Sequence, residues 1–196
     1  MRVIQNLFFA IIAFFASTIV ISFFLPEKYT VEDSIEINAP VSDVFRQVNN
    51  LNSWKSWSYF YNLDSNWTVD FGNWTFGKDA SFRWQSEALG DGQLAIVESY
   101  PNKKIKVHFK YEDAHKNGDA EYIFKEINTG TKVTFRLEFP VPLTPKDKFE
   151  NLFFKKDNKK PQFDYSLKHL KEVSEYKFRE NLKSINAPKL VPPLEN

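Results

Sequence analysis

The chain is 196 residues long and carries 26 Lys and Arg against 25 Asp and Glu, for a net charge of +1 at pH 7. This balance excludes the broadly basic surface of a nucleic-acid-binding domain, so no nucleic-acid partner is expected. The absence of cysteine excludes disulfides and thiolate metal sites, and three histidines remain as nitrogen ligands.

The first predicted element is an apolar helix within residues 1–26. Val3–Leu25 contains no charged residue, and a helix of that length spans about 34 Å, enough to cross a membrane. We interpret it as a single-pass transmembrane anchor. A cleaved signal peptide is the alternative, but cleavage requires small residues where Phe14 and Phe15 stand. A buried core helix is a third reading, disfavoured because core helices are seldom apolar all round.

The flanking charges predict the orientation of this anchor. Arg2 with the amino terminus lies on one side and Lys28 on the other, so only the terminal amine breaks a near tie. We expect a cytoplasmic N-terminus and a domain outside the cytoplasm, at the inner membrane if the source is bacterial. The remainder divides into one domain at residues 27–185 and a proline-rich tail at residues 186–196.

A strand, a short helix and two tryptophans follow the anchor. Apolar residues alternate with polar ones over Val31–Ile37, which predicts a half-buried strand. Pro40 suits the first turn of a helix, and the apolar residues of Val41–Leu51 recur at helical spacing. Trp54 and Trp57 then lie in a second short helix or an irregular turn.

From Asn66 onward the apolar period changes to two, which predicts strands. Six are expected, at Trp67–Phe71, Ala80–Ser86, Gln93–Tyr100, Lys104–Tyr111, Ala120–Ile127 and Lys132–Phe139. The breaks between them are short and rich in Gly, Asn, Asp and Pro, so neighbouring strands are expected to pair as an antiparallel meander. Aromatic and aliphatic residues alternate with charged ones, so one face of the sheet should be wet and the other aromatic.

Two helices are predicted after the strands. Thr144 and Asp147 indicate the start of a lysine-rich helix. Its candidate membrane contacts are Phe149, Phe153, Phe154, Lys155 and Lys156, which could touch anionic headgroups and gate ligand entry. The alternative is a capping helix with a solvated lysine face. A longer helix from Pro161 to about Leu182 would cover the aromatic face of the sheet, and large rings on a concave surface would leave a space.

This order of elements resembles the START-like, or SRPBCC (Bet v1-like), helix-grip fold, an α+β fold in which a curved antiparallel sheet of about seven strands wraps a long C-terminal helix. "IEINAPVSDVFRQVNNLNSWKSW" resembles the opening motif of its polyketide cyclase/dehydrase and lipid-transport branch. "GKDASFRWQSEALGDGQLAIVESYPNKKI" is similar to the central hairpins, "GTKVTFRLEF" to the last strand and "FDYSLKHLKEVSE" to the C-terminal helix. The resemblance extends over Tyr29–Tyr176, and the leading anchor resembles that of membrane-anchored bacterial members.

The resemblance implies an internal cavity for lipids or other apolar molecules and, in some branches, cyclase chemistry. The residues expected to line it are Trp54, Trp57, Phe82, Trp84, Val107, Phe109, Tyr111, Tyr122, Phe124, Phe135, Leu137, Phe163, Leu167 and Leu170. Two interpretations are open for Trp54 and Trp57. They could lie at the cavity rim with the indole N–H near water, or they could simply close the core between the helix and the sheet.

Residues for catalysis or metal binding are not apparent in the sequence. No nucleotide-binding, zinc-protease or hydrolase motif occurs. His108, His115 and His169 are too scattered for a metal site. The remaining polar candidates (Glu87, Glu98, Glu121 and Arg83) are read as surface charges, so no catalytic residue, metal or cofactor is predicted.

Three functions remain open at this stage. The first is a membrane-anchored module that binds a lipid or other hydrophobic small molecule. The second is a cyclase- or hydrolase-type enzyme, which requires a carboxylate, histidine or arginine facing the cavity. The third is a protein-interaction module, chaperone-like or involved in envelope assembly, that uses the lysine-rich helix or the tail.

Overall fold

An antiparallel sheet and a long C-terminal helix dominate the computed structural model of the chain. It describes residues 2–25, 28–62, 64, 66–87, 90–112, 117–140, 144, 146, 148 and 160–186. The helices are α1 (Arg2–Ser22), α2 (Val41–Asn49) and α3 (Lys160–Asn186), with 3₁₀ helices at Leu51–Ser56 and Tyr59–Asn62. The strands are β1 (Lys28–Ile37), β2 (Thr68–Phe71), β3 (Ser81–Gln85), β4 (Gly92–Tyr100), β5 (Lys104–Tyr111), β6 (Gly118–Ile127) and β7 (Gly130–Pro140).

The seven strands form one sheet in the order β1-β7-β6-β5-β4-β3-β2. All neighbours are antiparallel, which confirms the predicted meander from β2 to β7. β1 returns to pair with β7, from Lys28 opposite Pro140 to Ile37 opposite Thr131. The sheet curves around α3, so the α+β helix-grip fold is confirmed.

The sheet has one buried apolar face and one more exposed polar face, as the alternation of apolar and polar residues in the sequence predicts. In β5, Ile105, Val107 and Phe109 are buried while the residues between them are more exposed. In β7, Val133 and Phe135 are likewise buried. Leu167 and Leu170 of α3 complete the core from the other side, so the C-terminal helix covers the aromatic face of the sheet as the sequence predicted.

Trp54 and Trp57 both end in the core, where they close the C-terminal end of α2. The Trp54 indole N–H donates to the carbonyl of Val48 at 2.9 Å, and that of Trp57 donates to the carbonyl of Gln47 at 3.3 Å. The last carbonyls of a helix have no partner within the helix, so buried donors there satisfy groups that would otherwise be costly. Of the two places considered for these tryptophans, the structure therefore shows closure of the core, and neither indole N–H is exposed to water.

α1 is the element that the domain does not cover. Its large apolar side chains, including Val3, Leu7 and Phe14, are exposed, which contradicts the buried-core reading. α1 is long and apolar enough to span a membrane or to act as a signal sequence. At its end, the carbonyl of Ser22 accepts a hydrogen bond from Nζ of the buried Lys148 at 3.3 Å, and a cation there complements the negative end of the helix dipole.

Candidate functional site

An internal cavity of about 180 Å³ lies between the inner face of the sheet and the 3₁₀ helices with α3. Its walls are Trp54, Ser58, Tyr59, Phe60, Leu94, Val107, Phe109, Tyr111, Ala120, Tyr122, Phe135, Leu137, Phe139 and Ser166. No charged side chain is among these described lining residues. The cavity is therefore suited to an uncharged, mostly apolar occupant.

Small residues on β6 affect the packing around the cavity. Ala120 pairs with Val107 on one side and with Leu137 on the other, so a methyl group stands between two larger side chains. Gly118 stands earlier on the same strand, where an added Cβ would lie 2.6 Å from Cζ of Phe109. The ring of Phe109 therefore covers Gly118, whereas Ala120 lines the cavity and leaves part of the space beside it unfilled.

The partly exposed lining residues mark the mouth of the cavity. Tyr111 and Phe139 lie at the ends of β5 and β7, and Tyr59 and Ser166 face them from the helical side. Phe139 pairs with Tyr29 at the start of β1, a few residues after α1. The mouth therefore lies at the end of the sheet to which α1 is attached.

Hydroxyl groups supply the polarity of the cavity. The Ser166 hydroxyl accepts a hydrogen bond from the backbone N–H of Tyr59 at 3.0 Å, and the Ser58 hydroxyl accepts one from Phe60 at 3.3 Å. Tyr122 is 4% exposed, and its ring stacks on Phe135 with centroids 4.5 Å apart. Within the described part of the chain, the Tyr122 hydroxyl makes no hydrogen bond.

Burial determines the protonation of the tyrosines. It raises the pKa of Tyr122 far above its ordinary value and also raises the pKa of Tyr111. Outside the cavity, burial raises the pKa of Tyr61 to about 12. Each of these phenols stays protonated at physiological pH and can therefore donate a hydrogen bond to a ligand or other acceptor, because burial disfavours the anionic form.

The predicted lining residues separate into two groups. Trp54, Val107, Phe109, Tyr111, Tyr122, Phe135 and Leu137 line the cavity. Trp57, Phe82, Trp84, Phe124, Leu167 and Leu170 are buried but are not among the residues that line it. The side chain of Phe163 lies outside the described residues.

Packing accounts for the second group. Phe82 and Trp84 contact a cluster of rings beneath β2 and β3, with Phe60 5.0 Å from Trp84 and Tyr61 5.9 Å from Phe82 between centroids. Phe124 packs on Phe45 at 5.3 Å. The inward direction predicted for these side chains is correct, but neighbouring rings fill the space that they face.

The prediction missed several lining residues. Leu94 and Ala120 alternate with outward-facing neighbours, so strand periodicity could have identified them. Ser58, Tyr59, Phe60 and Ser166 line the helical side. No periodic pattern marks these four, because their position depends on how the second 3₁₀ helix docks on α3.

A larger groove of about 670 Å³ lies at the outer side of strands β2 to β5. Asp70, Arg83, Gln93 and Lys110 form one cross-strand row within it. These side chains are exposed, and their charges are mixed. We regard the smaller cavity as the better candidate because its walls are mostly apolar and uncharged, whereas charged side chains line much of the groove.

The histidines and other titratable candidates lie away from the cavity. Nδ1 of His108 is 2.7 Å from Oδ1 of Asp119 on the wet face, and Nδ1 of His169 is 2.9 Å from the carbonyl of Tyr165. His115 lies outside the described residues. Glu98 and Glu121 form ion pairs on the outer face, and Arg83 and Glu87 are exposed. No group of three metal-ligating residues occurs among the described residues.

The candidate membrane contacts in the lysine-rich segment, Phe149, Phe153, Phe154, Lys155 and Lys156, all lie outside the described residues. Of the neighbouring lysines, Lys146 is exposed and Lys148 is buried against the end of α1. The contact between Lys148 and Ser22 joins the chain after β7 to the apolar helix.

Solved structures with the same fold come from several sources. A protein of unknown function from Staphylococcus aureus matches with a TM-score of 0.60 at 13% identity, over 78% of this chain and 97% of that one. An uncharacterized protein from Rhizobium leguminosarum matches with a TM-score of 0.52 at 17% identity, over 76% of this chain and 96% of that one. The di-domain ARO/CYC protein BexL of the BE-7585A biosynthetic pathway matches with a TM-score of 0.56 at 17% identity, over 76% of this chain and 51% of that one. At these identities the likeness establishes the fold alone.

Sequence comparison adds the family. A search by sequence among curated proteins found no match. The profile of the family described as "Polyketide cyclase / dehydrase and lipid transport" matches residues 28–175, which run from the first residue of β1 into α3. The match spans most of the chain and coincides with the helix-grip domain, so the protein belongs to the polyketide cyclase/dehydrase and lipid transport family.

Proposed function

We propose that this protein is a membrane-tethered binding module whose cavity holds a compact hydrophobic molecule or one short segment of a lipid. The observation that carries the proposal is the cavity between the sheet and the helices, whose described walls are mostly apolar and uncharged. The family supports the same class of function, a hydrophobic-ligand-binding or cyclase-type domain.

The volume limits the occupant. Pockets for drug-sized ligands typically measure about 300–1,000 Å³, and an apolar void of about 150 Å³ in another protein holds benzene. At about 180 Å³, the cavity fits a molecule of one ring or a short acyl segment. A complete lipid would have to leave most of its length outside the mouth.

The lining favours binding over cyclase or hydrolase chemistry. The described walls contain no carboxylate, histidine or arginine to move a proton at neutral pH. Tyr122 is a weak acid in this setting because burial raises its pKa. The hydroxyls and aromatic walls can orient a ligand, and the described walls hold no charged group to activate one.

The proposal that the domain is tethered to a membrane is based on α1 and on the position of the cavity mouth. An exposed apolar helix of this length is unfavourable in water and is stabilised by a bilayer. The mouth opens at the end of the sheet next to the start of β1, so a ligand leaving a membrane would reach it first. Arg2 with the amino terminus favours an orientation with the domain outside the cytoplasm.

A cavity-filling variant tests the binding proposal. The full chain is purified in mild detergent, and bound hydrophobic molecules are extracted and identified by mass spectrometry. Ala120→Leu places a larger apolar side chain in the cavity and is expected to remove them. Ala95→Leu makes the same change on the outer face of β4, opposite His108, and is expected to retain them. Equal recovery from both variants would contradict the proposal.

The tether is tested on the full chain in cells. If α1 is an anchor, the protein stays in the membrane fraction after alkaline carbonate washing and keeps its N-terminus at residue 1 or 2. A mature N-terminus near the end of α1 and release into the soluble fraction would identify a cleaved signal sequence. A protease added to intact spheroplasts is expected to degrade the domain if it lies outside the cytoplasm.

A further inference from the structure

Among the described residues, Tyr122 differs from most polar side chains of this core because its hydroxyl has no hydrogen-bond partner. The indole N–H groups of Trp54 and Trp57 donate to backbone carbonyls, and the Thr131 hydroxyl donates to the carbonyl of Ala39 at 2.8 Å. Tyr122 is 4% exposed, and its hydroxyl makes no hydrogen bond with the described residues. The buried hydroxyls of Tyr61 and Ser174 also lack a partner among those residues, but neither residue lines the cavity, whereas Tyr122 does. Buried tyrosines normally find a hydrogen-bond partner.

Tyr122 is also held rigidly where a ligand would meet it. Phe135 stacks on the ring at 4.5 Å, while Trp54 and Trp57 contact it edge-on at 6.1 and 6.0 Å. Tyr122 forms part of the cavity wall, so an occupant can supply the missing partner. A donor held in place by packing loses little conformational freedom when it binds.

We infer that Tyr122 recognises a neutral ligand that carries one hydrogen-bond acceptor oxygen, such as a carbonyl, on a compact apolar body. This inference rests on the proposed function and names the chemical class that the cavity takes. The phenol stays protonated and therefore donates to the ligand. A carboxylate ligand is excluded from this position, because no cation lines the described walls and an unpaired buried anion is very costly.

Three probes of nearly equal shape test the inference. Acetophenone carries the acceptor oxygen, α-methylstyrene replaces that oxygen with a methylene group, and benzoate replaces the methyl group with a charged oxygen. The full chain is reconstituted in nanodiscs with labelled leucine and valine methyl groups. Shifts of the Leu94, Val107 and Leu137 methyls report the cavity, and those of Val3 in α1 report partitioning into lipid.

The wild-type chain is expected to bind acetophenone more tightly than α-methylstyrene and not to bind benzoate. Tyr122→Phe removes only the hydroxyl and should weaken acetophenone binding about tenfold, with α-methylstyrene binding unchanged. Tyr61→Phe deletes a buried, unpaired hydroxyl that does not line the cavity and should keep the wild-type preference. Because the deleted hydroxyl is unpaired, unliganded Tyr122→Phe should be at least as stable as the wild type.

The outcomes separate this inference from the proposed function. If α-methylstyrene binds as tightly as acetophenone in both the wild type and Tyr122→Phe, the cavity binds apolar molecules and the role of Tyr122 is refuted. If no probe shifts the cavity methyls, the binding function itself fails. If benzoate binds best, the cavity recognises anions and the inferred ligand class is wrong.

Discussion

The inner and outer faces of the sheet share one backbone and one register, but different forces act on them. The inner face is a layer of rings and aliphatic side chains that excludes water except at the cavity. The outer face carries a continuous series of ion pairs in which Glu32, Arg136, Glu121, Lys104 and Glu98 alternate in sign over β1, β7, β6, β5 and β4. These pairs lie 2.8–3.4 Å apart and remain partly exposed.

The difference teaches where stability and specificity reside in this protein. Burial of a large aromatic side chain stabilises a fold by several kcal/mol. An exposed ion pair contributes about 0–1 kcal/mol because water and salt screen it. We therefore expect the inner face to determine stability and ligand choice. Alternating charges on the outer face avoid repulsion between neighbouring strands.

The largest expected effect on stability is at Trp57, which lies in the core on the inner side of the sheet. It is 1% exposed and caps α2, so Trp57→Ala should lower the free energy of unfolding by about 3–5 kcal/mol through lost contacts and a cavity. Trp74 is 61% exposed, and Trp74→Ala should change the free energy of unfolding by less than about 0.5 kcal/mol. Denaturant unfolding of the full chain in micelles, followed by near-ultraviolet circular dichroism, measures both. Similar losses would show that burial does not separate the two sites.

Alternation made the fold predictable on both faces. β5 was predicted from Lys104 to Tyr111 and occupies those residues, because apolar and charged side chains alternate without interruption. β6 begins two residues before the predicted Ala120, since glycine at position 118 carries no periodic signal but pairs with Phe109. Side-chain direction on a strand follows from a period of two, so the direction of the lining residues was predictable.

The size and boundary of the cavity were less predictable. Trp57 and Tyr122 are both aromatic and both point inward, but only Tyr122 borders the space. Whether a ring faces a void or another ring depends on contacts between distant segments, such as the 5.0 Å contact of Phe60 with Trp84. Sequence periodicity contains no information about such packing, and the two lining serines, Ser58 and Ser166, have no pattern of their own.

A substitution at Ser174, also in the core, is expected to change the free energy of unfolding less than Trp57→Ala does and in the opposite direction. Its side chain is 1% exposed, and the hydroxyl has no hydrogen-bond partner among the described residues. Ser174→Ala should raise the free energy of unfolding by about 1 kcal/mol, because it removes an unpaired buried polar group. Ser184→Ala on the exposed end of α3 gives the same gain in helix propensity and serves as the control. A gain no larger than that of the control would indicate that the Ser174 hydroxyl is satisfied.

The smallest effect is expected on the outer face, at Glu98. Nζ of Lys104 lies 2.8 Å from the Glu98 carboxylate, and this hydrogen bond lowers the pKa of Glu98 in the folded protein. A carboxyl group whose folded pKa lies below its unfolded value stabilises the fold above the unfolded pKa. That contribution is lost as the pH falls through the folded pKa. Glu98→Gln should therefore differ from the wild type slightly at neutral pH, and the difference should disappear under acidic conditions.

The ion-pair origin of this difference can be isolated with salt and a matched variant. High salt should reduce the difference at neutral pH, because the screening length falls to about 3 Å at 1 M ionic strength, close to the separation of this exposed pair. Glu126→Gln removes an exposed carboxylate of β6 that has no ion pair with the described residues, and it should show no such acid dependence. Thermal unfolding of the full chain at several pH values compares the two. If Glu98→Gln cost as much as Trp57→Ala, the ion pairs would stabilise the fold as strongly as the aromatic layer, and the contrast between the faces would fail.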